Sequence, residues 1–366
     1  VTLVRDSARP LLGKRVAFVF GPGNIGVDGA AALVRGPERA LLELGATVHT
    51  FNWALVADGL AAFAAGRPDP GRDRYPLDSP QVRALVDFFA EGGPFDLTLG
   101  CFYDVCLAAP VEEALQKRGG HLINYPLNLL DQPRHFARCV QLFDETFCAE
   151  EDAVAALGAK GRYVPMASDP WIFRPLGRSP AEPRLLFVGS AYGPRHEALA
   201  RCGQVIDTTA LGSGFGLQGT VRALGRAVVR ERRLPSLLPL REALLRDRRP
   251  VGDEAFVRLA ASHGVSVGFS DVRQEGTGAL LHKVRLREYD ATMSGLCHLA
   301  RRLPELERHF EPGREMVLYD SLDELPSLLA RIRRGELDWR RIGAAARLRA
   351  ARDHTWTQRF RAAFRS

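Results

Sequence analysis

Lysine is nearly absent from this chain, with four residues against 46 arginines in a total of 366. Absent too is any run of 18 or more apolar residues, so no segment reads as a membrane-spanning helix. The first twenty residues, VTLVRDSARPLLGKRVAFVF, lack the order of a secretory signal, and a cytoplasmic protein is the expectation. Six cysteines (101, 106, 139, 148, 202, 297) form no Cys-x-x-Cys pair and have no histidine at metal spacing. That pattern points away from a zinc site and from a disulfide framework, and toward reduced core residues. No Asp-x-Asp motif occurs in a loop that would hold a divalent ion, so no metal site is expected. What is present is ordinary soluble composition, 46% apolar and 25% charged, in a chain long enough for two domains.

The net charge of +7 is concentrated. Between Arg222 and Arg249 stand nine arginines against Glu231, Glu242 and Asp247, a local surplus of +6. Such a stretch suits weak contact with an anionic surface or a phosphorylated lipid acceptor, or it is a solvated helical face in an arginine-rich chain. Nucleic acid is not expected, because the stretch has no aromatic residue on which a base could stack.

An apolar strand runs into a glycine turn in RVAFVFGPGNIGVDG, where Gly21, Gly23 and Gly26 satisfy G-x-G-x-x-G. A dinucleotide site also needs a helix starting at the turn and an acid at the end of the second strand. The second strand, ATVHTFNW, ends without Asp or Glu, and Gly36 and Pro37 interrupt the stretch after the turn. With proline favoured at the first helical position, the clear helix is PERALLELG. The motif therefore reads as a backbone-rich loop at the carboxyl end of a parallel strand, where open α/β sheets bind many ligands.

Further along, short apolar runs alternate with helical patterns. Strands are expected at 15–20, 46–52, 95–101, 120–125, 145–149 and 162–165, with helices such as SPQVRALVDFFAEG and AAPVEEALQKRGG between them. This order specifies a doubly wound parallel sheet. A proline-rich stretch, FRPLGRSPAEPRLLFVGS, then has the composition of an interdomain linker. Strands resume near 185–189, 204–208, 265–269, 296–300 and 316–319, and the SLDE at 321–324 reads as a capping box for the helix that follows.

The segment KVRLREYDATMSGLCHLARRLPELERHFEPGREMVLYDSLDEL carries the most chemistry. Arg287 and Asp290, three apart, share a helix face, and Gly295 ends that helix before a buried strand. A carboxylate that can accept two hydroxyls beside a guanidinium that can grip phosphate suits a nucleoside diphosphate. An intrahelical salt bridge has the same spacing.

This segment resembles the carboxyl-terminal domain of the CgeB-like (spore maturation protein type) glycosyltransferases of GT-B fold. Their pattern Arg-x-Phe-Glu-x-x-x-x-Gly stands here as Arg287, Tyr289, Asp290 and Gly295, and PELERHFEPGREMVLYDSLDEL resembles their following segment. RYVPMASDPWIFRP (162–175), LLFVGSAYGPR (185–195) and DHTWTQRF (353–360) resemble the family's crossing segment, the opening of its second domain and its terminal helix. The resemblance implies that Asp290, where the family has Glu, holds the ribose hydroxyls of a nucleotide, with its carboxylate withdrawn by one methylene. It implies that Arg287 faces the diphosphate, and that Gly189, Ser190 and Arg195 contact phosphates through amides and charge. Tyr289 falls in the same motif and Lys283 beside it. Related retaining enzymes have a second Glu eight residues before the ribose acid, where this chain has His282, a departure from their pattern.

The resemblance implies an acceptor in the first domain. Asp104 and Asp131 follow strands there, so either can take the acceptor proton or position the acceptor, with Asp28 and His135 as second choices. Gly21, Gly23, Asn24 and Gly26 would line the same acceptor side. For each acid a surface or capping role is the alternative, and a retaining reaction would need no protein base. Arg195, Arg287, Lys283 and helix amino ends can stabilise a departing diphosphate without a metal.

The expectation is thus an α/β chain of GT-B fold, two Rossmann-like domains with parallel sheets facing across a cleft. Residues 1–175 would bind the acceptor, 176–184 link, 185–345 bind the nucleotide sugar, and a helix over 346–366 cross back. No cofactor is expected beyond the nucleotide-sugar donor, and the acceptor is unspecified. The alternatives are a nucleotide-sugar epimerase, an NAD-dependent oxidoreductase, or a non-catalytic nucleotide- or sugar-binding protein.

Overall fold

In a computed structural model of the chain, residues 8–19, 32–52, 77–177, 180–191, 193–212, 214–215 and 251–365 are described. The chain divides into two compact units, one of Val1–Ala167, Val272–Leu281 and Trp356–Ser366, the other of Ser168–Asp271 and His282–Thr355.

The first unit is built on a six-stranded sheet of β1 (Arg15–Val19), β2 (Thr47–Phe51), β3 (Leu97–Gly100), β4 (His121–Asn124), β5 (Glu145–Cys148) and β6 (Gly161–Tyr163). Its order is β2-β1-β3-β4-β5-β6, and every pair is parallel. Strands buried on both faces read as near-continuous apolar runs, as Val16–Val19 does; Leu97–Gly100 is equally buried, with the Thr98 hydroxyl donating to the Gly119 carbonyl. The crossovers are α1 (Ala32–Glu43), α2 (Pro80–Gly92), α3 (Ala109–Arg118), α4 (Ala137–Leu142) and α5 (Glu151–Leu157). Because the chain moves from β1 to β2 on one side and to β3 on the other, the carboxyl ends of β1 and β3 form a topological switch point.

One expectation fails at α1. Pro37 lies inside the helix, which already runs from Ala32. Proline there removes one backbone bond, but the buried face of Ala32, Val34, Gly36, Pro37, Ala40 and Leu41 outweighs that loss.

The second unit has a five-stranded sheet of β7 (Arg184–Val188), β8 (Thr208–Leu211), β9 (Gly264–Val267), β12 (Cys297–Arg301) and β13 (Val317–Tyr319). Its order is β13-β12-β9-β7-β8, again all parallel, with the switch point between β7 and β9. Among the described residues its helices are α6 (Arg195–Cys202), α7 (Asp253–His263), α8 (Leu286–Met293), α9 (Pro304–His309), α10 (Leu325–Arg333) and α11 (Trp339–Asp353). A core of Leu185, Phe187, Leu199, Val265, Val267, Leu299 and Leu329 fills it. Gly295 follows α8 at φ +81°, the left-handed end its sequence suggested. A two-stranded ribbon of β10 (Asp271–Arg273) and β11 (Leu280–His282) is also present, and Val272–Leu281 of it belong to the first unit.

The strand expected at 204–208 begins at Thr208, because the amides of Gln204, Val205 and Ile206 are taken by carbonyls at the end of α6. Nor is 346–366 one helix: α11 stops at Asp353, and α12 (Trp356–Arg365) belongs to the first unit. The break is held by extended pairing, since the Ser168 amide donates to the His354 carbonyl and Ser168 bridges Thr355. All six cysteines are buried, and none forms a disulfide. No helix among the described residues is long and apolar enough to cross a membrane.

Candidate functional site

The switch point of the second unit gathers most of the residues assigned to a donor. Gly189 and Ser190 follow β7, and the chain passes so close there that a β-carbon on Gly212, at φ +126°, would lie 2.3 Å from the Gly189 carbonyl oxygen. Arg195, at the start of α6, is buried. Its guanidinium donates to the carbonyls of Ser190 (2.8 Å) and Phe269 (3.3 Å), and lies near the rings of Phe187 and Phe269. It therefore ties the end of β7 to the end of β9, and its charge sits at that junction.

Lys283 is buried, and its amide donates to the Ser270 carbonyl. His282 lies with Nδ1 2.7 Å from Oδ1 of Asp271, and Arg285 reaches the Asp271 carbonyl at 3.4 Å. Glu288, in the first turn of α8, accepts the Arg285 amide at 2.8 Å and so closes the helix start. Burial pushes the Glu288 carboxyl up to about 7 against the pull of Arg285 and Arg195. Beside it, His298 pairs its Nδ1 with the Ser266 hydroxyl at 2.8 Å, while Nε2 finds no partner among the described residues. Burial pushes this imidazole down to about 3, and the Arg287 charge adds to that.

Arg287 and Asp290 pair at 3.5 Å, as three-residue spacing on a helix requires. The Arg287 guanidinium also lies 4.4 Å from the centre of the Phe256 ring. Asp290 is only 2% exposed and accepts the Ser168 hydroxyl at 2.8 Å. Burial pushes its carboxyl up to about 7; Arg287 and Ser168 oppose the shift, and Asp253 and Asp169 add to it. Tyr289 is not brought to this group. One residue from Asp290 it is turned about 100° around the helix, where its hydroxyl pairs with His309 Nδ1 at 2.9 Å in a fully buried cluster with Phe310 and His354.

In the first unit, Asp104 follows β3, and its carboxylate accepts the amides of Arg138 (3.0 Å) and Cys139 (2.9 Å). Asp104 therefore caps α4, and burial raises its carboxyl despite those bonds. Asp131 and His135 lie in the loop after β4, both buried. His135 Nε2 stands 2.5 Å from Glu275, which also binds Arg134. Gly21, Gly23, Asn24, Gly26, Asp28 and the 222–249 arginines lie outside the described residues.

Sequence reasoning missed Glu288, His298, Gly268 and Glu275. A glutamate at the third helical position is a capping signal that was available for Glu288. Nothing local marks Glu275, whose histidine is 140 residues away.

Comparison with known proteins bears on this arrangement. Residues 221–365 match the family model described as glycosyl transferase-like. No curated protein matches the sequence significantly. Among solved structures, AviGT4, a glycosyltransferase involved in avilamycin A biosynthesis, is similar over 96% of this chain and 97% of its own, at 16% identity and a TM-score of 0.62. The fold is GT-B. Anabaena HepE in complex with UDP-glucose is similar over 95% of this chain and 98% of its own, with 14% identity and a TM-score of 0.61. Sucrose-phosphate synthase from Thermosynechococcus elongatus is similar over 94% and 96%, with 14% identity and a TM-score of 0.58. A GT-B chain has two Rossmann-like domains, and each unit here has the doubly wound sheet that this requires.

Proposed function

We propose that the protein is a glycosyltransferase that moves a sugar from a nucleoside-diphosphate donor, bound by the second unit, to an acceptor held by the first. The glycosyl transferase-like match over 221–365 carries this reading, because it spans the part of the chain that holds Lys283, Arg287 and Asp290. AviGT4 is a glycosyltransferase, and HepE is described with UDP-glucose. An epimerase, an oxidoreductase or a non-catalytic binding protein is less well supported, since neither comparison favours those classes. Within the glycosyltransferases we place the chain with the CgeB-like type, on its Arg287-x-Tyr289-Asp290 motif.

The diphosphate lies at the amino end of α8, where helix amides and the Arg287 charge meet it, with Gly189 and Ser190 offering backbone at the end of β7. A ribose hydroxyl replaces the Ser168 hydroxyl on Asp290, a like-for-like exchange of donors. The donor is a substrate, and no separate cofactor is needed. Six buried cysteines outside any disulfide suit a reducing cytoplasm.

A thermal-shift panel of UDP, GDP, dTDP and CDP sugars tests the reading. A donor at about 100 times its Kd adds about 2.7 kcal/mol, a shift of several degrees. Asp290→Ala and Arg287→Ala each reduce that shift. If both respond like the wild type, the donor binds elsewhere.

A further inference from the structure

The second sheet borders a cavity at the end opposite the donor-binding group. Arg184 opens β7, Asp207 precedes β8, and the turn from α10 into α11 completes the lining of a space of about 910 Å³. That volume falls within the range of small-molecule sites. Gly189 and Ser190 lie past the other end of β7, so the five residues of the strand, roughly 16 Å at the usual rise, stand between them and the cavity.

The lining carries both signs of charge, with Arg184, Arg333 and Arg340 beside Glu182, Asp207 and Asp338. Part of this charge is matched within the protein. Arg184 pairs with Asp207 at 2.6 Å, and one oxygen of Asp338 caps α11 by accepting the amides of Arg340 and Arg341 at 3.1 Å. Arg333 and Arg340 differ. Nη1 of Arg333 donates to the Val205 carbonyl at 2.7 Å, and Nη2 of Arg340 to the Pro180 carbonyl at 2.9 Å and to that of Ala181. The Arg340 guanidinium also lies 4.2 Å from the centre of the Trp339 ring. These contacts hold both side chains in place, yet a carbonyl is neutral and cancels no charge. Neither arginine has a carboxylate partner among the described residues, although Arg331 and Arg334 beside them both pair with Glu336. The Glu182 carboxylate has no partner among the described residues either.

A guanidinium has five N–H donors, so one or two bonds to carbonyls leave the rest for an oxyanion. A bare anion would also meet Glu182 and the second oxygen of Asp338, which only accept hydrogen bonds when ionised. The ligand that suits both sets of groups presents an oxyanion to the arginines and hydroxyls to the carboxylates. We propose that this cavity binds a small hydroxylated organic anion, a sugar phosphate or a sugar acid, with its oxyanion on Arg333 and Arg340 and its hydroxyls on Glu182 and Asp338. Site and ligand are independent of the donor reading above.

Glucose 6-phosphate and glucuronate serve as probes, one for each source of the oxyanion, with glucose and inorganic phosphate as the two partial ligands. Calorimetry gives the affinities, and the indole N–H resonance of Trp339, assigned by its loss in Trp339→Phe, gives the location. At least one of the two probes shifts that resonance saturably and binds about tenfold or more tighter than glucose or phosphate. The tighter of the two identifies the oxyanion. Arg333→Gln, which removes a single exposed hydrogen bond, keeps an unfolding midpoint close to that of the wild type and weakens binding about tenfold; Arg340→Gln weakens it as much. Comparison among the four probes needs no variant to fold. Phosphate as tight as glucose 6-phosphate, glucose as tight as either anion, or a Trp339 resonance that no probe moves overturns the proposal. Undiminished binding by folded Arg333→Gln does the same.

Discussion

A β-carbon placed on Gly268 would lie 2.8 Å from Oε1 of Glu288 and equally close to Nε2 of His298. Neither neighbour can withdraw, because Glu288 is bonded to the Arg285 amide and His298 to the Ser266 hydroxyl. The backbone is pinned as well, since the Gly268 carbonyl accepts the Tyr319 hydroxyl at 2.7 Å. Gly268→Ala therefore overpacks the end of β9 and costs about 1–3 kcal/mol. Urea unfolding checks this; an unchanged midpoint would mean that the space is larger than these distances require.

Asp290 gives stability a pH dependence whose sign is fixed. Its folded carboxyl is pushed up to about 7, whereas an unfolded aspartate titrates near the ordinary value. Between those two values the folded chain holds a proton that the unfolded chain has released. Stability from this group is then full at low pH and falls as pH rises, levelling off above about 7. Glu288 acts in the same direction, while His298, held low, acts oppositely through the acid range. Comparison with Asp290→Asn removes those shared contributions. The variant gains on the wild type from about pH 4 to about pH 7, by up to about 1.4 kcal/mol per pH unit within the window, and no further above it. A difference that stays flat with pH would show that Asp290 is not buried as a carboxyl.

How far the sequence could be read depended on the range of the interaction. Runs such as RVAFV and FDLTLG specified strands because burial on both faces needs only local apolar residues. The spacing of Arg287 and Asp290 specified their pairing, and Gly295 the helix end, for the same reason. Pro37 misled because the apolar face it belongs to outweighs its helix-breaking tendency. The break at Thr355 depends on pairing with Ser168, far back in the chain. For Asp104 the sequence left a ligand-facing and a capping role open, and the amides that it accepts begin 34 residues later. Glu275 and His135, likewise, meet only once the fold has formed.

Asp104 separates a structural role from a chemical one. Asp104→Ala leaves the first amides of α4 unpaired and costs about 0.5–2 kcal/mol. Asp104→Asn keeps an oxygen for those amides and recovers most of the loss. Thermal midpoints of both variants, with donor turnover measured below them, check this. If Asn lost turnover as fully as Ala while keeping its stability, the carboxylate would be acting on the substrate and not only on the helix.

The leaving diphosphate gains negative charge as its bond to the sugar breaks, so the site must supply positive charge where that happens. Arg287 stands in the first turn of α8, whose amino end adds a partial positive charge of its own. Nη1 of Arg287 is buried and faces Oδ2 of Asp290 at 3.5 Å without a hydrogen bond, so the pair holds the guanidinium while its hydrogen-bonding capacity is not used up. Fixed cations of this kind stabilise developing charge without reorganisation, and loss of one such donor costs on the order of 100-fold in turnover. Arg287→Ala should show that loss, while Arg287→Lys, which keeps the charge but not the fork, should recover part of it. On the proposed donor site, with Arg287, Arg195 and Lys283 supplying the charge, turnover should also survive EDTA followed by dialysis. Complete loss with EDTA, restored by manganese, would mean that a metal ion does what is assigned here to the arginine.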